Sequence, residues 1–457
     1  MQVFITIALI IIGVLLFEFI IFAHEFGHFI TAKRSGVKVN EFALGMGPKL
    51  FSFQKGETKY TLRLFPIGGY CSMEGEDQDS DNPRAFNNAK IWKRMIIIVA
   101  GAFMNIVVGF LLMFIVTLST PQFSSTVVAG FSSVAFSANT GLEVGDQIVD
   151  VDGYSVMNAK DLQFGIQLLP CKEVDPESLA VYKEDCCAAA HNYLVEMYQN
   201  KVIDDNTLDK LYEDVLLPAT ARISKTEDKN SAYKIASDCI DGYYTALGMD
   251  KPTDFAYPTI EVRDKRLRYT GDLTVIRNGE RCELKDVEFY TYPKDDQTTA
   301  VSIDFYVNPL EKNFATVMSE SFTGTISLGK SVWKSLAMLV QGRFSFADMS
   351  GPVGITKAVS SVAAKGLETG FGDAVLNIIF VMALITVNLG IVNMLPFPAL
   401  DGGRFVFLVI EAIRRKPIPR KVEYIVNALG LALLILMIIA ISVKDLAQLI
   451  TGTFPSI

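Results

Sequence analysis

Apolar and polar positions alternate along this chain on two scales. Residues 3–23, 95–118, 374–395 and 423–443 are nearly unbroken apolar runs, each long enough, as a helix rising about 1.5 Å per residue, to cross roughly 30 Å of hydrocarbon. They predict four transmembrane helices. The first lacks the basic leading region and small-residue cleavage site of a signal peptide and runs directly into a polar motif, so it is expected to be retained.

Between the runs the periodicity changes. Residues 40–72 mix β-branched and aromatic residues with glycines, which predicts short strands and hairpins in a compact β element beside the membrane. The acidic, polar stretch 73–88 predicts a flexible connection. Residues 127–164, with GLEVGDQIVDVDGYSV, resemble the strand and turn signature of a PDZ domain, and 259–307, with GDLTVIRNGERCELKDVEF, resemble its later strands. The intervening segment, about 165–258, is rich in Ala, Tyr, Lys, Glu and Asp without β alternation, and predicts a helical insertion; a separate linker domain between two unrelated β pieces is the alternative. Residues 311–350 are Ser- and Gly-interrupted and suit amphipathic helices at the membrane surface.

The fold class expected is therefore a multi-span α-helical membrane protein of four transmembrane helices, with a membrane-associated β element and an extracytoplasmic PDZ-like domain carrying a helical insertion. Its parts are residues 1–118, the first half of a membrane core with the first span over 3–30; 119–310, the PDZ-like domain; 311–372, the surface helices; and 373–457, the second half of the core.

Composition supports the membrane assignment, since 50% of the 457 residues are hydrophobic. Lys33, Arg34, Lys38, Lys49, Lys90, Lys93 and Arg94 follow the first span, and Arg414, Arg415, Lys416, Arg420 and Lys421 lie between the last two. By the positive-inside rule both segments are expected in the cytoplasm, placing the termini and the long middle region outside. The net charge of −8, with much of the acidity in the middle region, argues against a nucleic-acid partner. Cys71 is expected inside; Cys171, Cys186, Cys187, Cys239 and Cys282 are expected outside, where at most two disulfides could form among them.

The chemistry begins at His24-Glu25-Phe26-Gly27-His28. On a helix, positions i and i+4 share a face, so two imidazoles can reach one Zn²⁺ while Glu25 approaches an attacking water as general base. Ionisable residues in an apolar span are costly to keep, which favours function over the mere polar end of a helix. A catalytic zinc site usually takes three protein ligands. His191 falls in the outer insertion, so Asp401, in NMLPFPALDGG at 393–403, is the better third ligand. Pro396, Pro398 and the two glycines are expected to prevent a regular helix there; the alternative is an Asp that caps a helix starting at Gly402. Glu18 shares a helix face with Glu25. It either lines a watered approach to the zinc or snorkels to the outer interface.

HEFGH and NMLPFPALDGG, together with GMGPKLFSF, LRLFPIGGY, the PDZ-like region and SGPVGI at 350–355, resemble the bacterial site-2 protease family of the RseP and RasP type. The resemblance covers nearly the whole chain except the insertion, which is a departure from the family pattern and leaves open whether the peptide groove is accessible. It implies that His24, His28 and Asp401 bind one catalytic zinc and that Glu25 activates the water. It also implies a single-span membrane-protein substrate already shortened by an upstream site-1-type protease, such as an anti-sigma factor or a signal-peptide remnant, in the bacterial cell membrane, with the active site toward the cytoplasmic side. Gly45 and Gly47 match the family's β-loop, whose edge can pair with an unwound substrate, or simply turn a hairpin. Asn393, Pro396 and Pro398 match its substrate-contacting loop, where Asn393 holds a substrate backbone or caps a broken helix. The rival readings are a catalytically silent membrane scaffold that binds partners through the PDZ-like domain, and a metal transporter, for which spans two and four offer almost no polar residues.

Overall fold

The computed structural model describes residues 2–76, 80–132, 135–174, 178–252, 255–258, 260, 266–293, 299–342 and 351–451. Along the chain, α1 (Gln2–Ser35) is followed by β1 (Val39–Lys55), β2 (Thr58–Met73) and α2 (Ile91–Ser119). Then come β3 (Phe123–Phe131), α3 (Phe136–Asn139), β4 (Gln147–Val151), β5 (Tyr154–Ser155), α4 (Ala159–Gln167) and β6 (Cys171–Val174). Helices α5 (Leu179–Gln199), α6 (Asp205–Leu211), α7 (Leu217–Ser224) and α8 (Lys229–Leu247) precede strands β7 (Arg266–Arg277), β8 (Glu280–Pro293), β9 (Thr299–Ser302) and β10 (Phe305–Leu310). The chain closes with α9 (Phe314–Val340), α10 (Pro352–Thr369), α11 (Phe371–Asn393), α12 (Asp401–Arg414) and α13 (Arg420–Thr451). Two units result, Met1–Pro121 with Lys312–Ile457, and Gln122–Glu311.

Among the described residues of the first unit, four helical segments are long and apolar enough to cross a membrane: Ile11–Ser35, Ile91–Ser119, Phe371–Asn393 and Lys421–Gln448. α1, α2 and α11 pack through Ile20, Val108, Leu112, Ile378, Met382 and Val387. Small residues let the backbones close up: a Cβ on Gly27 would meet the Ala100 carbonyl at 2.3 Å, and one on Gly390 the Ala102 carbonyl at 3.0 Å. HEFGH lies inside α1 rather than at its end, because the helix continues through Thr31 to Ser35 with both imidazoles buried against α2.

The β element is not a set of short hairpins but two long strands that pair with each other on both sides. Glu41 faces both Ser72 and Lys59, and Ala43 faces both Tyr70 and Thr61. Bends at Gly45, Gly47 and Gly68, all with positive φ, fold the pair into four segments in the order 49–55, 58–63, 39–44, 69–73, in which the two outer pairings run in opposite senses while 41–44 and 59–62 advance in register together. The base packs Phe42 and Tyr60 against Phe22 and Phe29 of α1; Phe53 stacks on Tyr60 from the exposed side, and Phe51 and Leu64 are exposed beyond it. The connection 73–88 is pinned rather than loose where it is described: Arg84 forks onto both oxygens of Glu57, Ser80 bonds Glu74, and Phe86 is buried.

α9 is a single helix that packs along α2 and α11 rather than lying apart at a surface. Val317, Ser321 and Leu328 are buried, and Gly324 and Gly329 admit Met113 and Ile391. Residues 343–350 of the expected surface helices, including Ser350 of SGPVGI, lie outside the described residues.

The second unit carries one eight-stranded sheet of order β10-β3-β4-β7-β8-β9, with β5 on β4 and β6 on β7. Its core is Val128, Ile148, Ile166, Leu273, Val275 and Phe289. The insertion is helical, as its composition predicts, but narrower than 165–258. α4 and β6 belong with the sheet, since Cys171–Val174 pair with Tyr269–Arg266, a partner far along the chain that local composition cannot reveal. α5 to α8 have their own core, Leu194, Leu216, Ile240 and Tyr243. Cys71, Cys186, Cys187, Cys239 and Cys282 are free thiols, with Cys186, Cys187 and Cys239 buried among these helices.

Candidate metal centre

α2 is the template on which the site is assembled. Ile97, Gly101 and Asn105 recur every fourth residue and so share one face. The Ile97 carbonyl accepts a 2.8 Å hydrogen bond from His28 Nδ1, which fixes the tautomer and leaves the Nε2 lone pair free. Gly101 supplies room, since a Cβ there would stand 2.3 Å from His28 Nε2 and 2.8 Å from His24 Cε1. Asn105 is fully buried, with its amide 3.2 Å from His24 Nδ1. Its Oδ1 has no partner; turning the amide by half a rotation lets that oxygen accept from Nδ1–H and frees His24 Nε2 in the same way.

The third group arrives from the segment after α11. The helix stops at Asn393, the backbone is non-helical to Leu400, and Asp401 opens α12. The glycines of LDGG do not break this helix; they form its first turn. A Cβ on Gly402 would lie 2.1 Å from the Leu395 carbonyl and one on Gly403 2.3 Å from that of Phe397, so their bareness lets α12 seat on the 394–398 backbone. Gly430 of α13 receives Pro398 in the same fashion, at 2.4 Å from its Cβ. Ala399, at φ +73°, donates its N–H to Asn427. Asp401 Oδ2 is thereby set 3.3 Å from both His24 Nε2 and His28 Nε2, which are 3.2 Å from each other.

Two imidazole nitrogens and a carboxylate oxygen face one point, while the outer nitrogens of the two imidazoles are held by Asn105 and the Ile97 carbonyl. Asp401 Oδ2 is buried without a hydrogen-bond partner. Such a donor set suits a zinc ion with three protein ligands. Among the described residues, His24, His28 and Asp401 form the one group of His, Cys, Asp or Glu able to hold an ion. His191 sits on α5 in the second unit, against the Tyr212 ring, and burial lowers its pKa.

The other residues singled out by sequence fall as follows. Glu25 is half-buried on α1, and a Cβ on Gly69 of β2 would be 3.5 Å from its Cγ, so it lies between the helix and the 69–73 segment. Asn393 Nδ2 is 3.5 Å from His24 Nε2. Pro396 is exposed in the 394–400 loop and Pro398 is packed on Gly430. Gly45 and Gly47 occupy the bend of β1 against Phe65, away from the two free strand edges. Glu18 is buried, with neither oxygen partnered. Sequence reasoning missed Gly101 and Asn105, whose four-residue spacing on an apolar helix was the available signal.

Residues 12–437 match Peptidase family M50, and the chain belongs to that family. It is 30% identical over 457 residues to the zinc metalloprotease RasP of Bacillus licheniformis, covering 95% of this chain and 98% of that one. It is 28% identical over 446 residues to the regulator of sigma-W protease RasP of Bacillus subtilis, at 95% and 97% coverage. The zinc metalloprotease RasP of Geobacillus kaustophilus is 27% identical over 480 residues, at 97% and 99% coverage.

Proposed function

We propose that this chain is an intramembrane zinc metalloprotease in which His24, His28 and Asp401 hold the metal and Glu25 is the general base. Its substrates are single-span membrane proteins already trimmed by a site-1-type protease. The observation that carries this reading is the meeting of His24 Nε2, His28 Nε2 and Asp401 Oδ2 within 3.3 Å, on helices of span length and in a member of a peptidase family.

Zinc, when bound, supplies Lewis-acid polarisation of the scissile carbonyl and a more acidic attacking water. Glu25, beside the histidines and open toward β2, takes the proton from that water and returns it to the leaving amine. A transmembrane helix hides its carbonyls in its own hydrogen bonds, so it must unwind first. The free edge at 69–73, next to Glu25, offers main-chain partners to the extended segment. Gly45, Gly47 and Gly68 shape the bends that put that edge there, and the Asn393 amide, at the end of α11 just before the Pro396–Pro398 loop, offers a further donor.

The basic ends of the helices support the orientation with this site toward the cytoplasm of a bacterial cell. Lys93 bonds the Ser35 carbonyl and Arg94 grips Glu411, so the ends of α1, α2 and α12 gather at one end of the bundle. The second unit is then extracytoplasmic, and its sheet with the adjacent α4 supports the PDZ-like reading, as a filter for trimmed substrates. An anti-sigma factor fits the Bacillus subtilis relative's name, and a signal-peptide remnant fits the same chemistry.

The test is to co-express wild type and Glu25→Gln with a single-span substrate lacking its outer domain, with and without a zinc chelator. Cleavage by wild type alone, abolished by the chelator, is expected. Equal behaviour of the two across several substrates would instead favour a silent scaffold.

A further inference from the structure

Glu18 is a buried carboxyl group on α1 that the chemistry above leaves unused. It is 8% exposed, and neither oxygen has a hydrogen-bond partner. It precedes Glu25 by two turns of α1, about 10 Å along the axis, on the same helix face. The backbone N–H of Gly45 lies near enough to bear on its carboxylate without closing a hydrogen bond. There φ is +80° and a Cβ would come 2.6 Å from the Phe65 carbonyl, so the approach of main chain to Glu18 depends on glycine.

Beside the same stretch of α1 lies an apolar groove of about 760 Å³. Gly13 and Phe17 of α1, Val359 of α10 and Met382 of α11 line it, and it reaches Pro66 of β2. Its walls suit the side chains of a transmembrane helix, whose main-chain groups are satisfied internally. Past the groove, toward Glu25, such a helix must open, and lipid cannot satisfy the N–H groups released. Along α1, Glu18 follows the groove-lining Phe17 and precedes Glu25. An unpartnered carboxyl group is costly to keep in an apolar span, a cost that packing alone does not explain.

We propose that Glu18 is a substrate-positioning residue whose carboxyl oxygens accept main-chain N–H groups of the transmembrane substrate where it leaves the groove and unwinds toward Glu25. Recognition of main chain rather than side chains makes it indifferent to substrate sequence. The inference rests on the protease reading and adds how the substrate is held.

The experiment uses the full zinc-loaded chain in phospholipid nanodiscs, with a synthetic single-span substrate and a series in which one amide at a time, on the outer side of the scissile bond, is replaced by an ester. Glu18→Leu is expected to lower kcat about tenfold with KM changed less than about twofold, because the bond forms only with the unwound chain. Glu18→Gln, with one acceptor oxygen left, is expected to lose about threefold. At one ester position the wild type should lose about tenfold and Glu18→Leu nothing further. Zinc content should equal wild type throughout. Wild-type kinetics in Glu18→Leu, ester penalties equal in both enzymes at every position, or a loss that follows zinc content would each overturn the proposal. Failure of wild type to cleave the all-amide substrate would instead remove the protease reading itself.

Discussion

Arg94, at the start of α2, grips both carboxylate oxygens of Glu411 on α12 at 3.0 Å each. α12 begins with Asp401, so this fork, together with the Arg404–Glu76 ion pair, fixes the helix that brings Asp401 to the two histidines. Both side chains of the fork are mostly buried, at 14% and 15% exposure.

Breaking the fork should therefore loosen the metal centre from a distance. Arg94→Ala leaves the Glu411 carboxylate without its charged partner, at a cost of roughly 2 kcal/mol. Zinc affinity, read by competition with a chromophoric chelator, should fall about tenfold. The exchange Arg94→Glu with Glu411→Arg should recover most of it. A double exchange no better than either single change would mean that the fork does not position α12.

Gly101→Ala is expected to empty the site. Its Cβ would sit 2.3 Å from His28 Nε2, and α2 is packed on both sides, so the imidazoles must yield. Zinc retention should drop at least a hundredfold while circular dichroism still shows the helices. Near-stoichiometric zinc in the purified variant would contradict this placement of the histidines.

Asn105→Ala removes the group that orients His24 Nδ1. Loss of such an outer partner typically weakens metal binding by about ten- to a hundredfold. Asn105→Asp keeps an oxygen for the Nδ1–H and should bind zinc within about threefold of wild type. If alanine and aspartate behave alike, the oxygen facing His24 is not what matters.

How much of this was legible in sequence follows from how local each signal is. The His24–His28 spacing is a property of one helix turn, and Asp401 is flagged by an acidic residue among prolines in an apolar setting. The doubled pairing of β1 and β2 is different: Glu41 meets Ser72 and Lys59 together, a long-range register that strand patterns do not encode. Gly402 and Gly403 resemble helix breakers by propensity, yet contact with the Leu395 and Phe397 carbonyls turns them into a packing surface. α2 reads as a plain span because its working elements are a carbonyl, a missing side chain and one asparagine. The polar stretch 73–88 looked loose because its anchors, Glu57 for Arg84 and Lys38 for Glu74, lie elsewhere in the chain.

Those anchors make the edge of the β element acid-sensitive. Hydrogen bonds from Arg84 and then Lys33 hold the Glu57 carboxyl down from 4.5 to about 2. Ser80, Asn40 and Lys38, in that order, hold Glu74 down to about 2 as well. A carboxylate whose pKa is lowered by folding contributes stability that is complete above its unfolded value of about 4.3 and is lost as pH falls toward the folded value. The difference in thermal midpoint between wild type and Glu57→Gln should therefore be constant from pH 7 to about pH 5 and shrink between about pH 4.5 and 2. Glu74→Gln should follow the same course. A difference that stays flat across that window would show that Glu57 acts through packing rather than charge, and that Arg84 is held by the Gly36 carbonyl, its other acceptor at 3.1 Å, instead.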